Sequence, residues 1–238
     1  MAVVYLIRHR QASFGKANYD QLSDLGHQQS TRLGLALAER LSMFDKVYLG
    51  SMLRHKQTAN NCLTAFDSSV DQVKASVDEG WNEYNHQDIL AKYQPEFASH
   101  ETMRAFLKKQ DNPKKAVEYH FNKAMDRWMQ GNHEGNHEGD YEESWRTFSG
   151  RVQTAFENVL ADTQLSKNVA VFTSGGPISL IAQSLLGVDQ LQIMKMNWTL
   201  LNCGVTKIVS TNNRVFLSSL NDHSHFESED SKHFLTYT

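Results

Sequence analysis

Apolar residues along this chain follow two rhythms, and the first is a strand. Val3-Val4-Tyr5-Leu6-Ile7 is an unbroken run of residues that favour a buried strand. It stops abruptly at Arg8-His9-Arg10. A polar loop follows from Gln11 to Gln21, and then a helix from about Leu22 to Leu41, where Leu33, Leu37 and Leu41 make one apolar face. Val47-Tyr48-Leu49 predicts a second short strand that ends at Gly50-Ser51. Ala59, Cys62, Leu63 and Phe66 take helical spacing, and Val73, Ala75 and Val77 alternate as in a third strand. This alternation of strand and helix predicts a parallel sheet with helices on its faces.

The middle of the chain breaks the rhythm. From about Trp81 to Gly139 strand signals vanish. Val117, Phe121, Ala124 and Trp128 make one helical stripe, and Met103, Phe106 and Leu107 a shorter one. Residues 81–143 therefore read as a helical insertion over the sheet edge, within one domain that spans 1–238. Alternation then resumes. Trp145, Phe148, Val152, Ala155, Phe156 and Val159 mark an amphipathic helix, and Val169-Ala170-Val171-Phe172-Thr173 a buried strand. Ser174-Gly175-Gly176 turns the chain into a helix with Pro177 suited to its first position and Gly187 to its end. Val205 to Val209 and Val215 to Leu220 flank a hairpin turn. The fold class expected is a three-layer α/β/α sandwich with a mostly parallel central sheet and a helical insertion.

Composition narrows the partners. A chain of 238 residues can build one large α/β core. Its net charge of −3 gives no electrostatic case for nucleic acid as the main partner. No apolar run reaches the roughly 18 residues of a membrane span, and no secretory signal pattern opens the chain. Two cysteines, Cys62 and Cys203, are too few for a disulfide framework and read as reduced core residues of a cytoplasmic protein. The segment Glu227 to Lys232 reads as a frayed polar tail.

Polar clusters sit just after the predicted strands. Arg8, His9 and Arg10 follow the first, Ser51 and Arg54 the second, Glu83 the third, and Ser174, Gly175 and Gly176 the fourth. In a parallel sheet such points converge on one edge, where α/β proteins bind ligands. Arginine forks match phosphate oxygens, and backbone N–H groups at a helix start add donors. Together these residues form a coherent phosphate site.

The constellation resembles the histidine phosphatase superfamily, whose fold is shared with the cofactor-dependent phosphoglycerate mutases. The resemblance spans most of the chain. It rests on Leu6-Ile7-Arg8-His9, on Leu22-Ser23-Asp24-Leu25-Gly26-His27-Gln28, on Ser51-Met52-Leu53-Arg54-His55-Lys56-Gln57-Thr58-Ala59, and on Asn82-Glu83-Tyr84. It implies that His9 takes the phosphoryl group, that Arg8 and Arg54 clamp phosphate, and that Glu83 protonates the leaving alkoxide. A histidine nucleophile must be neutral when it attacks, and neighbouring arginines disfavour imidazolium. A general acid needs a raised carboxyl pKa, so burial of Glu83 has to outweigh the same arginines. Ser13 and Asn18, in the loop after His9, stand where family loops contribute polar contacts.

Two positions depart from the family pattern. Arg10 stands where a glycine is usual, and could add a cation to the pocket or point to water. Ser174 stands where the resemblance implies a second phosphate-binding histidine, and a serine hydroxyl carries no charge. Losing such a charge-assisted donor costs about 2–4 kcal/mol of transition-state stabilisation. Arg10 is the candidate to supply the missing charge, whereas His55 and His86 read as solvent-facing histidines. Asn197 and Asn202 read as structural hydrogen-bonding residues at chain turns.

The pattern Gly-Asn-His-Glu occurs twice between Gly131 and Glu138. His133, Glu134, His137, Glu138 and Asp140 are metal-ligand types, but the interleaved glycines argue against a helix that would gather them. They read as a slipped duplication, with no metal and no cofactor. The expected activity is hydrolysis of a phosphorylated small molecule through a phosphohistidine on His9. Mutase activity is disfavoured, because the Trp-Asn pair of the longer mutase pattern is missing from Gln11 to Gln21. The rival reading, carried by Ser174, is a weakened enzyme that binds phosphorylated ligands without useful turnover. A third is an interaction module whose anion pocket goes unused. Trp81, Tyr84, Phe106 and Trp128 are candidate lining residues for the substrate pocket, though core packing explains most of them. The sequence leaves the substrate and the oligomeric state open.

Overall fold

The period-two runs become the strands of one sheet. In this computed structural model, which describes residues 1–9, 20, 22–67, 75–130, 137–212 and 214–237, the strands are β1 (Ala2–Arg8), β2 (Lys46–Leu49), β3 (Ala75–Val77), β4 (Asn168–Thr173), β5 (Val205–Thr211) and β6 (Arg214–Asp222). Their order is β3-β2-β4-β1-β5-β6. The first four in that order run parallel, and β5–β6 is an antiparallel hairpin against β1. The helices are α1 (Asp24–Ala38), α2 (Leu53–Phe66), α3 (His86–Tyr93), α4 (His100–Leu107), α5 (Pro113–Met129), α6 (Trp145–Asp162), α7 (Gly175–Leu186) and α8 (Ile193–Thr199).

Alternation along the central strands divides the core in two. Val4 and Leu6 of β1 and Val169 and Val171 of β4 join one apolar cluster with Trp81, Phe148, Val152 and Ile181. Tyr5, Ile7, Ala170 and Phe172 join the other, with Leu33, Leu37 and Cys62. One face of the sheet is thus covered by α6 and α7 and the other by α1 and α2, the expected three layers. Between β3 and β4 no described residue is in a strand; Ala124 and Trp128 of α5 are buried in the first cluster. Cys62 and Cys203 are free thiols and buried, and no described helix is long and apolar enough to cross a membrane.

Local chemistry explains most departures from the expected boundaries. Helix α1 starts at Asp24 and not Leu22, because the Ser23 hydroxyl caps it by accepting from the Gly26 N–H at 3.1 Å. The Leu22 N–H goes to Gln57 Oε1 at 3.1 Å, tying this entry to α2. At the other end, the N–H groups of Arg40 and Leu41 both reach the Leu37 carbonyl, and the helix stops at Ala38. Helix α7 begins two residues before Pro177 and ends, as expected, at Gly187 in the left-handed region, φ 63°. The segment Glu227 to Lys232 runs into a 3-10 helix, Glu229–Phe234, with Ser231 buried, and the chain just after it is docked, which corrects the expectation of a frayed tail. Gln29 Nε2 donates to the Phe234 carbonyl at 2.8 Å, and the Asn202 N–H to the Thr236 carbonyl at 3.0 Å.

Helices α1 and α2 pack tightly at Gly34, where a Cβ would lie 2.1 Å from the Cys62 carbonyl oxygen and 2.9 Å from Ala65 Cβ. Alanine would gain about 1 kcal/mol in helix propensity. Forcing the backbones apart costs more, typically about 1–3 kcal/mol. Gly34→Ala is therefore expected to lower the melting temperature, by roughly 2–4 °C for each kcal/mol lost; an unchanged or raised value in a thermal melt would contradict this packing.

Candidate active site

Strands β1 and β4 end side by side. Arg8 pairs in register with Thr173, and the His9 N–H donates to the Thr173 carbonyl at 2.7 Å. Strand alternation then sends neighbours to opposite layers. Arg8 turns to the α6–α7 side, where its guanidinium donates to the Leu200 carbonyl, and the Thr173 hydroxyl donates to the Trp81 carbonyl at 2.6 Å. His9 and Ser174 turn towards α2. There His55 Nε2 is 2.7 Å from Ser174 Oγ, and the His9 and His55 ring centroids are 5.7 Å apart.

The second arginine comes from the first turn of α2. Arg54 Nη1 donates to Asp20 Oδ1 at 3.1 Å, while Asp20 Oδ2 accepts the Leu53 N–H at 2.7 Å. One carboxylate thus fixes both the helix start and the guanidinium. Glu83 follows a tight turn after β3, and that turn is held on two sides. Asn82 exchanges hydrogen bonds with Ser51, Oδ1 accepting the Ser51 N–H and Nδ2 donating to Ser51 Oγ, both at 2.8 Å. From α6, Arg151 donates to the carbonyls of Gly80 and Asn82 at 3.0 and 2.8 Å, and its fork is closed by Glu143.

The Glu83 carboxylate accepts the Gly176 N–H at the start of α7, with its oxygens at 3.1 and 3.2 Å. This needs glycine: a Cβ on Gly176 would lie 2.1 Å from Glu83 Oε1. Although the residue keeps a partly exposed edge, its carboxyl group is set deep. Burial pushes its pKa above the ordinary value, while Arg54, the Gly176 N–H, Arg8 and the Tyr84 N–H pull it down. Burial prevails, the condition a general acid requires.

Arg8, His9, Arg54 and Glu83 line one pocket. Its remaining described walls are Tyr84, His86, Phe121, Asn197 and Trp198. Ser174 is fully buried, and it and Gly175 lie behind this lining. Gly175 is required there, because a Cβ would come 2.1 Å from Asn197 Oδ1. Arg10, Ser13 and Asn18 lie outside the described residues, as do His133 and Glu134; the Asp140 carboxylate is engaged by Arg127 at 2.5 Å.

Several expectations are corrected here. His55 is fully buried, not solvent-facing, and burial together with the adjacent Arg54 holds its imidazole well below its usual pKa, hence neutral. His86 faces the pocket. Of the aromatic candidates, Tyr84 lines it, while Trp81, Trp128 and Phe106 pack in the core. Asn202 is structural, as expected, but Asn197 donates to the Tyr84 hydroxyl at 3.2 Å inside the pocket. In the sequence Trp198 carried no signal, Phe121 only that of a helical stripe and Asn197 only that of a chain turn, because each is placed at the pocket by helix packing and not by a motif. His55 did carry one, its place beside Arg54 in the first turn of α2.

Comparison with solved structures finds the same architecture across nearly the whole chain. A phosphoglycerate mutase from Bacillus anthracis str. Sterne is 18% identical, with a TM-score of 0.62 and 94% of each chain covered. A phosphoserine phosphatase variant from Entamoeba histolytica, in complex with phosphoserine, is 17% identical, with a TM-score of 0.62 and 94% of this chain and 99% of that one covered. A putative alpha-ribazole-5'-P phosphatase from Escherichia coli str. K-12 substr. MG1655 is 20% identical, with a TM-score of 0.60 and coverage of 93% and 98%. No curated protein sequence matches. The model of the histidine phosphatase superfamily (branch 1) matches residues 4–119 and 105–223, and with the pocket just described the chain belongs to that superfamily.

Proposed function

We propose that the protein hydrolyses phosphomonoesters of small molecules through a phosphohistidine on His9, without a cofactor. The observation that carries this reading is one pocket lined by His9, two arginines and a carboxyl group whose pKa burial has raised. Arg8 and Arg54 would clamp the phosphoryl oxygens and stabilise the charge that moves through the transition state. The neutral imidazole of His9 would attack phosphorus while the leaving oxygen takes the proton of Glu83. Water would then attack the phosphohistidine, returning its proton to the Glu83 carboxylate, freeing His9 and releasing phosphate.

The helices between residues 81 and 143 would act as the cap that selects the leaving group. Phe121 and Trp198 meet edge-on at 5.3 Å in the wall of the same pocket, so an apolar or ring-bearing leaving group fits there. Mutase chemistry is the weaker reading, since the Trp-Asn pair that accompanies it is missing from the loop after His9. The free, buried cysteines support a cytoplasmic setting. A second reading rests on Ser174: with a hydroxyl where the family resemblance implies an imidazole, the protein would bind phosphorylated ligands and barely turn them over.

Hydrolysis of an aryl phosphate separates the two. Turnover that His9→Ala abolishes, in a variant that still melts cooperatively, is the expected result. Phosphate binding by the unaltered protein with no turnover would establish the second reading instead.

Glu83 gives a sharper expectation. Its carboxyl must be protonated to act as an acid, and its raised pKa keeps it so to higher pH than an exposed glutamate. The rate for alkyl phosphates should therefore fall as pH rises through that pKa. Glu83→Gln should remove that limb and lower kcat for alkyl phosphates by about 10²–10⁴-fold. The loss should be far smaller for p-nitrophenyl phosphate, whose leaving group needs little protonation. Equal losses for both substrates would exclude Glu83 as the acid.

A further inference from the structure

A buried imidazole next to the nucleophile is expensive to place. His55 is fully enclosed, yet an aliphatic side chain would fill the same space without desolvating two ring nitrogens. Space has been cleared for it on three sides. Gly50, at the end of β2, can carry no side chain, because a Cβ would lie 2.2 Å from His55 Nδ1 and 2.7 Å from Asn82 Oδ1. Ser174, at the end of β4, caps no backbone N–H of α7 and spends its hydroxyl on His55 Nε2 at 2.7 Å. On the remaining side the ring lies against His9, tilted by 44° with centroids 5.7 Å apart.

The ring is held at both nitrogens. Burial and Arg54 keep it neutral, so it has one N–H and one lone pair. Nδ1 lies against the Gly50 backbone and Nε2 pairs with Ser174 Oγ at 2.7 Å, the tautomer setting which group donates. The two contacts lock the ring plane.

We propose that His55, locked by Ser174, is a positioning residue that holds the His9 ring in the orientation needed for phosphoryl transfer. This rests on the phosphohistidine reading above. It assigns Ser174 to the brace behind the nucleophile, with no direct contact to phosphate. A nucleophile misplaced by about 1 Å can lose on the order of a hundredfold in rate.

The test pairs kinetics with a probe of His9 that needs no turnover. Ser174→Ala removes the hydrogen bond with little change in volume, His55→Leu removes the imidazole, and His55→Gln keeps a side-chain hydrogen-bonding partner for Ser174. We expect Ser174→Ala and His55→Leu each to lower kcat roughly ten- to a hundredfold, with KM for an aryl phosphate changed less than about threefold. The double variant should be no slower than the worse single one, and His55→Gln should recover part of the loss. In parallel, ring 15N and 1H signals of His9, assigned by their loss in His9→Ala, should shift or broaden in Ser174→Ala. Unchanged His9 signals and unchanged kcat in folded Ser174→Ala would overturn the proposal. Altered His9 signals in a protein that shows no hydrolysis at all would uphold the brace and overturn the phosphatase reading.

Discussion

The parallel pairing of β1 with β4 is the constraint on which the site depends. Residues three to eight of β1 lie opposite 168 to 173 of β4, and the His9 N–H extends that ladder by one bond. The two strands thereby deliver Arg8-His9 and Thr173-Ser174 to one point of the sheet edge. Strand alternation does the rest: one arginine goes to the α6–α7 layer and the histidine to the α2 layer. A slip of one residue would exchange those faces and place a charged side chain where His9 stands. Val4 and Leu6 on one face and Tyr5 and Ile7 on the other are both close-packed in apolar clusters, so such a slip would also have to repack two cores.

Electrostatics in the pocket is a contest between burial and charge. Arg8 and Arg54, left alone, would hold Glu83 ionised. The fold counters by sinking the carboxyl against the start of α7, where glycine at 176 lets it approach the backbone. The same positive surroundings, with burial, keep His55 neutral. Opposite outcomes at two neighbouring groups thus follow from one environment: both are driven towards the uncharged form, a protonated carboxylic acid and an unprotonated imidazole.

The layers and most of the site were legible in the sequence because both rest on local patterns. Val3 to Ile7 and Val169 to Thr173 announce buried strands, and Arg8, His9, Arg54 and Glu83 each follow a strand end that a parallel sheet must bring together. What was not legible depends on contacts between distant segments. Nothing near Trp198 or Phe121 shows that α8 and α5 meet at the pocket mouth. His55 was misjudged because a lone histidine is usually exposed, and its burial follows from Gly50 and Ser174 at the ends of two other strands. The tail was misjudged for the same reason: its polar residues conceal backbone bonds to Gln29 and Asn202.

The central claim is that His9 carries the phosphoryl group. Rapid quenching of the protein in alkali during turnover of a 32P-labelled phosphomonoester measures this directly. The expected label is stable in alkali and lost in acid, located by peptide mapping on His9 and absent from His9→Ala. Turnover without such label, or label on any other residue, would contradict it.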